Sequence, residues 1–251
     1  MKFKYFIQLS YKGTKYHGWQ IQPNAESVQE VLVNSFSTVL REEIEITGAG
    51  RTDTGVHASY FVAHFESEKS SFVSDDKFLF KINSILPKDI AVHDIRVVNL
   101  DAHARFDASS RTYHYFIHNK KDPFLLESSY YLPKNLDVDI MNKACDILFD
   151  YKDFTSFSKL HTDVKTNNCK ITEAIWSQEG HKIKFTITAD RFLRNMVRAI
   201  VGTLIDVGLG KLSLDEFVRI IESKNRSEAG VSVPAHGLFL TNITYDKSIY
   251  I

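Results

Sequence analysis

Gly48-Ala49-Gly50-Arg51-Thr52-Asp53-Thr54-Gly55-Val56-His57-Ala58 is the stretch from which the rest of the chain is read. Ile44 and Ile46 alternate just before it, and Tyr60-Phe61-Val62-Ala63-His64-Phe65 follows as a strand pattern. The stretch is therefore a connection between strands. Three glycines in eleven residues suit a backbone that turns sharply or approaches something closely. One reading is a glycine-rich turn with a solvated aspartate. The other is an active-site loop. Arg51 and Asp53 are two apart, so on an extended chain they face the same way. A guanidinium beside a carboxylate favours its ionised form, which a nucleophile or general base needs at neutral pH.

Working outward, Phe3, Tyr5, Ile7 and Leu9 predict a strand over 3–10. The polar, aromatic segment 11–20 reads as a glycine-bearing connection, although its interleaved basic and aromatic residues also suit phosphate and base contacts. Ser27 and Glu30 form a capping-box pattern before an amphipathic helix over 28–41. A helix over 75–86, opened by Ser74 and stopped by Pro87, leads to a strand over 90–98. The order is β-α-β-β-α-β. A similar order follows Arg105: a strand over 111–118, a helical stripe over 140–149, strands over 170–176 and 182–189 joined at Glu179-Gly180, a long helix over 192–207, a short helix from Ser213, and a strand over 238–245. The fold class expected is α+β, with two similar lobes, 1–104 and 105–251, each a mostly antiparallel sheet with helices on one face. Residues 160–168 and 224–233 read as candidates for mobility.

With 31 basic and 31 acidic residues the net charge is zero. Neither half departs far from neutrality: 11 basic and 13 acidic residues precede Arg105, and 20 and 18 follow from it. A nucleic acid would have to be held by a local patch, not by the overall field. Cys145 and Cys169 show no metal-ligand spacing, the ten histidines form no His-Glu-x-x-His pattern, and the one His-x-Glu spacing, His64-Phe65-Glu66, has no Cys-x-x-Cys to complete a zinc site. No metal is expected. No apolar run approaches the ~20 residues that span a bilayer, and the N-terminus lacks a signal-peptide pattern. The expected setting is the cytoplasm, with no membrane partner.

Two further groups stand out. On the predicted helix over 192–207, Arg191, Arg194 and Arg198 fall within ~60° of one another at ~100° per residue. No acid shares that stripe, which reads either as a solvated basic face or as a row of phosphate contacts. Tyr113 reads from its spacing as a core aromatic on a strand. His57, close to Asp53, reads as structural.

Gly50-Arg51-Thr52-Asp53-x-Gly55-Val56-His57-Ala58 resembles the signature of the tRNA pseudouridine synthase A family, with Thr54 a minor departure. So do Gly18-Trp19-Gln20, Arg105-Phe106 with Arg111-x-Tyr113-x-Tyr115, the run 192–198, and Gly237-Leu238-Phe239-Leu240. The resemblance covers essentially the whole chain. It implies a pseudouridine synthase-like fold with a central RNA cleft, Asp53 as the catalytic aspartate, and Tyr113 as the active-site tyrosine. It implies that Arg198 is the basic residue that pairs with the aspartate. Arg51, Arg191 and Arg194 are then expected to bind substrate. The implied reaction turns uridine into pseudouridine at positions 38, 39 and 40 of the tRNA anticodon stem-loop. It is an isomerisation and calls for no cofactor. Attack of the carboxylate on C1′, addition to C6 and removal of a ribose proton all remain open. The implied protein is a homodimer whose RNA cleft draws on both subunits. Two rivals stand beside this reading: a synthase for other RNA uridines, and a non-catalytic RNA-binding module.

Overall fold

In the computed structural model, which describes residues 2–69, 76–159 and 166–251, the first strand, β1, runs over Phe3–Tyr11. Tyr5, Ile7 and Leu9 are fully buried on one face of it. Its antiparallel neighbours are β3 (His57–Ser67) and β4 (Ile90–Val98), with Tyr5 opposite Phe65 and Ile7 opposite both Ala63 and Ile95. Helix α1 (Val28–Leu40) lays Val28, Leu32, Phe36 and Leu40 on this face, a four-residue repeat that keeps one side of the helix inward. Phe36 meets Phe65 at 5.1 Å and Phe78 of α2 (Asp76–Ile85) at 6.3 Å. Each such side chain removed from water contributes about 1.5–3 kcal/mol. Ser27 caps α1 by accepting from the Glu30 N–H. The Ser74 cap expected for α2 lies outside the described residues.

The strand expected before residue 48 shrinks to β2, Thr47–Gly48, paired with His64 and Ala63. Ile44 and Ile46 are buried as their pattern predicts. Their backbone groups bond to α1 instead of to a strand: Ser37 Oγ accepts from the Ile44 N–H, and Gln29 donates to the Ile46 carbonyl.

The chain divides into two compact units, Met1–Ser109 with Leu240–Ile251, and Ser110–Phe239. A boundary at 104/105 puts the whole chain end in the second lobe, whereas Leu240–Ile251 belongs with the first. Strand β9 (Leu238–Tyr245) lies next to β3 in the strand order β4-β1-β3-β9. Tyr245 packs edge-on against Phe6 at 5.2 Å and donates to the Ala104 carbonyl, while Asn99 bonds to Ile249 and Ser248. These contacts cover the second face of β1 at Phe6.

In the other unit β5 (Ala108–His118) pairs antiparallel with β8 (Lys182–Ala189), which pairs antiparallel with β7 (Ile171–Glu179). The two-residue strand β6 (Tyr130–Tyr131) runs parallel to β5. Helix α3 (Val138–Leu148) buries Met141, Ala144, Cys145 and Leu148. Helices α4 (Met196–Gly208) and α5 (Leu214–Ser223) complete the unit, and α5 carries both halves of the Ser213–Glu216 capping box. One device recurs in both units. Asn83 of α2 bonds both backbone groups of Val92, and Asn142 of α3 does the same for Trp176. Each asparagine ties a helix to the strand that follows it.

Helix α4 begins four residues later than its periodicity predicts. Asn195 takes the left-handed conformation at φ 65, which a right-handed helix cannot run through. Arg191 and Arg194 therefore precede the helix, and only Arg198 is carried on it. The three-arginine stripe of a continuous helix is not formed. Among the described residues, no helix is long and apolar enough to cross a membrane.

His64 on β3 accepts from the Ala104 N–H and lies 4.6 Å from the His103 ring. Burial first, then the neighbouring charges of His103 and Lys4, push its imidazole down to about 4, against the opposing effect of Glu66 and Asp107. The unfolded chain thus binds a proton that the folded unit refuses between about 4 and 6.5. The stability contributed by neutral His64 is complete above that window and is lost as pH falls through it. Thermal unfolding across the window should show this loss, and His64→Asn should flatten it. An identical profile in the variant would assign the loss to other groups.

Candidate active site

Asp53 sits in a turn. The Val56 N–H donates to its carbonyl at 3.1 Å, and Gly55 between them has φ 78. A type II turn needs this left-handed conformation at its third position. The turn is packed backbone to backbone against the loop after β1. The Gly55 N–H donates to the Tyr16 carbonyl, and the Trp19 N–H donates to the Thr52 carbonyl. A Cβ on Gly13 would stand 2.0 Å from the Val56 oxygen, and one on Gly18 would stand 2.4 Å from the Thr52 oxygen. Only glycine permits that approach.

Thr52 points inward, with Oγ1 2.9 Å from the Tyr11 hydroxyl. Of its neighbours, Arg51 is exposed and Asp53 half-buried. Among the described residues Arg51 makes no ion pair, so its guanidinium reaches solvent and is not engaged with Asp53. His57 is buried, and its Nδ1 accepts from the Gly13 N–H at 2.9 Å. That bond fixes an unprotonated Nδ1 and a structural role. Trp19 stacks on Phe61 at 4.1 Å and covers Gly48, where a Cβ would meet its ring at 2.5 Å. Tyr11, Tyr16 and Trp19 are all buried. The aromatics of segment 11–20 therefore build the floor of the Asp53 loop and offer no surface for a base.

In the second unit Tyr113, Tyr115 and Ile117 share one face of β5. Tyr115 is fully buried, and its hydroxyl donates to the Pro234 carbonyl at 2.8 Å. Burial pushes that hydroxyl's pKa up. Tyr113 is only half-buried and meets Phe192 edge-on at 5.2 Å. The first tyrosine of the pair is thus the less buried of the two. Arg111 donates to the Asp190 carbonyl, and the Asp190 carboxylate accepts from the Arg191 and Lys170 N–H groups. Arg194 is exposed, and its carbonyl accepts from the Lys159 N–H.

Arg198, in the first turn of α4, donates from Nε to the Val233 carbonyl at 2.7 Å, and the Val233 N–H returns a bond to the Arg198 carbonyl. The last residue of segment 224–233 is thereby tied to α4. The other segment expected to move, 160–168, falls mostly outside the described residues. Arg51 and Asp53 share the first unit's loop, while Tyr113, Arg191, Arg194 and Arg198 all lie in the second. Sequence reasoning missed Thr52, Gly13 and the 226–233 segment. For Gly13 a signal was present, a second glycine cluster at 13 and 18. Among the described residues no group of three His, Cys, Asp or Glu side chains is placed to hold a metal ion.

The geometry is thus that of two α+β units, the first of which sets the Asp53 carboxylate on a braced glycine-rich turn. The family model described as tRNA pseudouridine synthase matches residues 8–107 and 148–246, the first segment carrying Arg51 and Asp53 and the second Arg191, Arg194 and Arg198. Tyr113 falls between the two. The chain is 56% identical to the tRNA pseudouridine synthase A of Parabacteroides distasonis and to that of Bacteroides fragilis, each over 98% of both chains. It is 51% identical to that of Porphyromonas gingivalis over 99% of both. This chain belongs to the tRNA pseudouridine synthase family.

Proposed function

We propose that the protein isomerises uridine to pseudouridine at positions 38, 39 and 40 of the tRNA anticodon stem-loop. The observation that carries this reading is Asp53 itself, half-buried on a turn whose backbone is locked against the loop after β1. A carboxylate held by a rigid turn loses little entropy in reaching a reacting atom. In the reaction the N1–C1′ bond breaks, the base turns, and C5 bonds to C1′. The C5 proton leaves and N1 gains one, so the atoms balance with nothing oxidised or hydrolysed.

In this reading Asp53 is the catalytic carboxylate, Arg198 the positive charge that serves it, and Tyr113 the ring on which the target base stacks. Arg51, Arg191 and Arg194 contact phosphates. A chain without net charge depends on few such contacts, so each should weigh on affinity and on its salt dependence. The working form is a cytoplasmic homodimer, with RNA bound across both subunits and no cofactor needed.

Unmodified tRNA transcripts with uridine at 38, 39 or 40, or only elsewhere, test the site. Pseudouridine confined to the first set supports the proposal. Modification only of the second would assign the enzyme to other uridines. Tyr113 adds a finer check. Tyr113→Leu removes a stacking surface worth about 1–3 kcal/mol per base and should weaken tRNA binding as well as turnover. Tyr113→Phe keeps the ring and should slow turnover alone. Wild-type kinetics in both variants would return Tyr113 to the core.

A further inference from the structure

Arg198 is held by a strap, and the strap has a fastening of its own. Residues 229–233 lie directly on α4. Gly202 of the helix admits them, since a Cβ there would stand 1.9 Å from the Val231 oxygen. Gly230 does the same from the other side, where a Cβ would stand 2.9 Å from the Thr203 backbone. The Gly230 N–H donates to Thr203 Oγ1 at 2.9 Å. The strap ends at Val233, whose two backbone groups grip the side chain and the carbonyl of Arg198.

Arg226 closes the strap from its far end. Its Nη1 donates to the carbonyls of Ala229 at 3.3 Å and Gly230 at 3.2 Å, and its Nη2 donates to Ser232 Oγ at 2.8 Å. Asn195, the left-handed residue that starts α4, donates to the same Ser232 oxygen at 2.6 Å. Among the described residues Arg226 makes no ion pair. Its guanidinium bonds to neutral acceptors, all of them in the strap. The planar fork reaches three acceptors at once, a geometry that a lysine's single ammonium does not match.

We propose that Arg226 is a positioning residue for catalysis: it fixes the strap 229–233, and through Val233 the strap sets the orientation of the Arg198 guanidinium. The proposal rests on the role given to Arg198 above. A misplaced catalytic group costs rate rather than affinity.

Single-turnover rates on unmodified tRNA, with binding measured separately, test this for wild type, Arg226→Ala, Arg226→Lys, Ser232→Ala, Arg198→Ala and the Arg198→Ala/Arg226→Ala double variant. Arg226→Ala is expected to lower the rate about 10- to 100-fold, with tRNA affinity and its salt slope near wild type. Arg226→Lys should not restore the rate. The double variant should be no slower than Arg198→Ala, because two residues that act as one do not add. At saturating folded enzyme an unfolded fraction leaves the single-turnover rate constant unchanged. Should Arg226→Ala not fold at all, Ser232→Ala still reads the strap, with a smaller fall that is also absent on the Arg198→Ala background. Rate losses that multiply in the double variant would overturn the proposal. So would a loss of affinity with a flatter salt slope, the mark of a phosphate contact. Wild-type protein that makes no pseudouridine defeats the proposed function instead.

Discussion

Asp53→Asn is expected to abolish pseudouridine formation, lowering the single-turnover rate by about 10⁴-fold or more, the scale on which enzymes that react through a side chain lose activity when it is removed. Asparagine has nearly the same shape but cannot be an anionic nucleophile or base. The bonds that shape the turn run through main-chain groups, from Val56 to the Asp53 carbonyl, from Gly55 to Tyr16 and from Trp19 to Thr52. The substitution leaves them in place. Thermal unfolding and tRNA affinity should therefore stay near wild type. Release of label from uridine tritiated at C5 reads the step, since C5 gives up its hydrogen when it bonds to C1′. Release by Asp53→Asn at a rate near wild type would remove the aspartate from the chemistry.

Gly13→Ala should be among the most damaging small changes outside the reacting groups. Its Cβ would lie 2.0 Å from the Val56 oxygen and 2.7 Å from the Val56 carbon. Both are backbone atoms and cannot swing aside. The Gly13 N–H also bonds to buried His57, so moving either strand of the contact breaks a second interaction. Overpacking of this kind costs about 1–3 kcal/mol, and a bond lost in a buried site adds about as much again. Val56 closes the Asp53 turn, so activity should fall with stability, and more steeply than the folded fraction accounts for. Gly50→Ala is the contrast. A Cβ there has nothing within 4 Å, and unfolding in urea should shift by no more than about 0.5 kcal/mol. Equal stability of the two variants would mean that the loops do not brace each other.

Much of this was legible in the residues, where local chemistry sets local structure. Strands β4, β8 and β9 coincide with their alternating patterns, and α5 starts at the Ser213–Glu216 box. What escaped depends on contacts distant in sequence. Asn195, left-handed just before α4, has its side chain bonded to Ser232, thirty-seven residues on. Hydrophobic spacing runs through Phe192 and Leu193 unchanged, so periodicity alone extends the helix. The affiliation of Leu240–Ile251 rests on Phe6, Ala104 and Asn99, none of which a local window contains. The candidate site divides in the same way. Asp53 announces itself by its glycines. Tyr113 is indistinguishable by spacing from Tyr115, and only burial separates the two. Arg226 carries no local signal at all, because its partners are main-chain carbonyls and one serine.

Mass-spectrometric mapping of pseudouridine in unmodified tRNA, treated in parallel with wild-type protein and with Asp53→Asn, tests the central claim most directly. The expected result is pseudouridine at positions 38, 39 and 40 with wild type and none with the variant. Equal modification by both proteins, or none by wild type on tRNA that it binds, would contradict it.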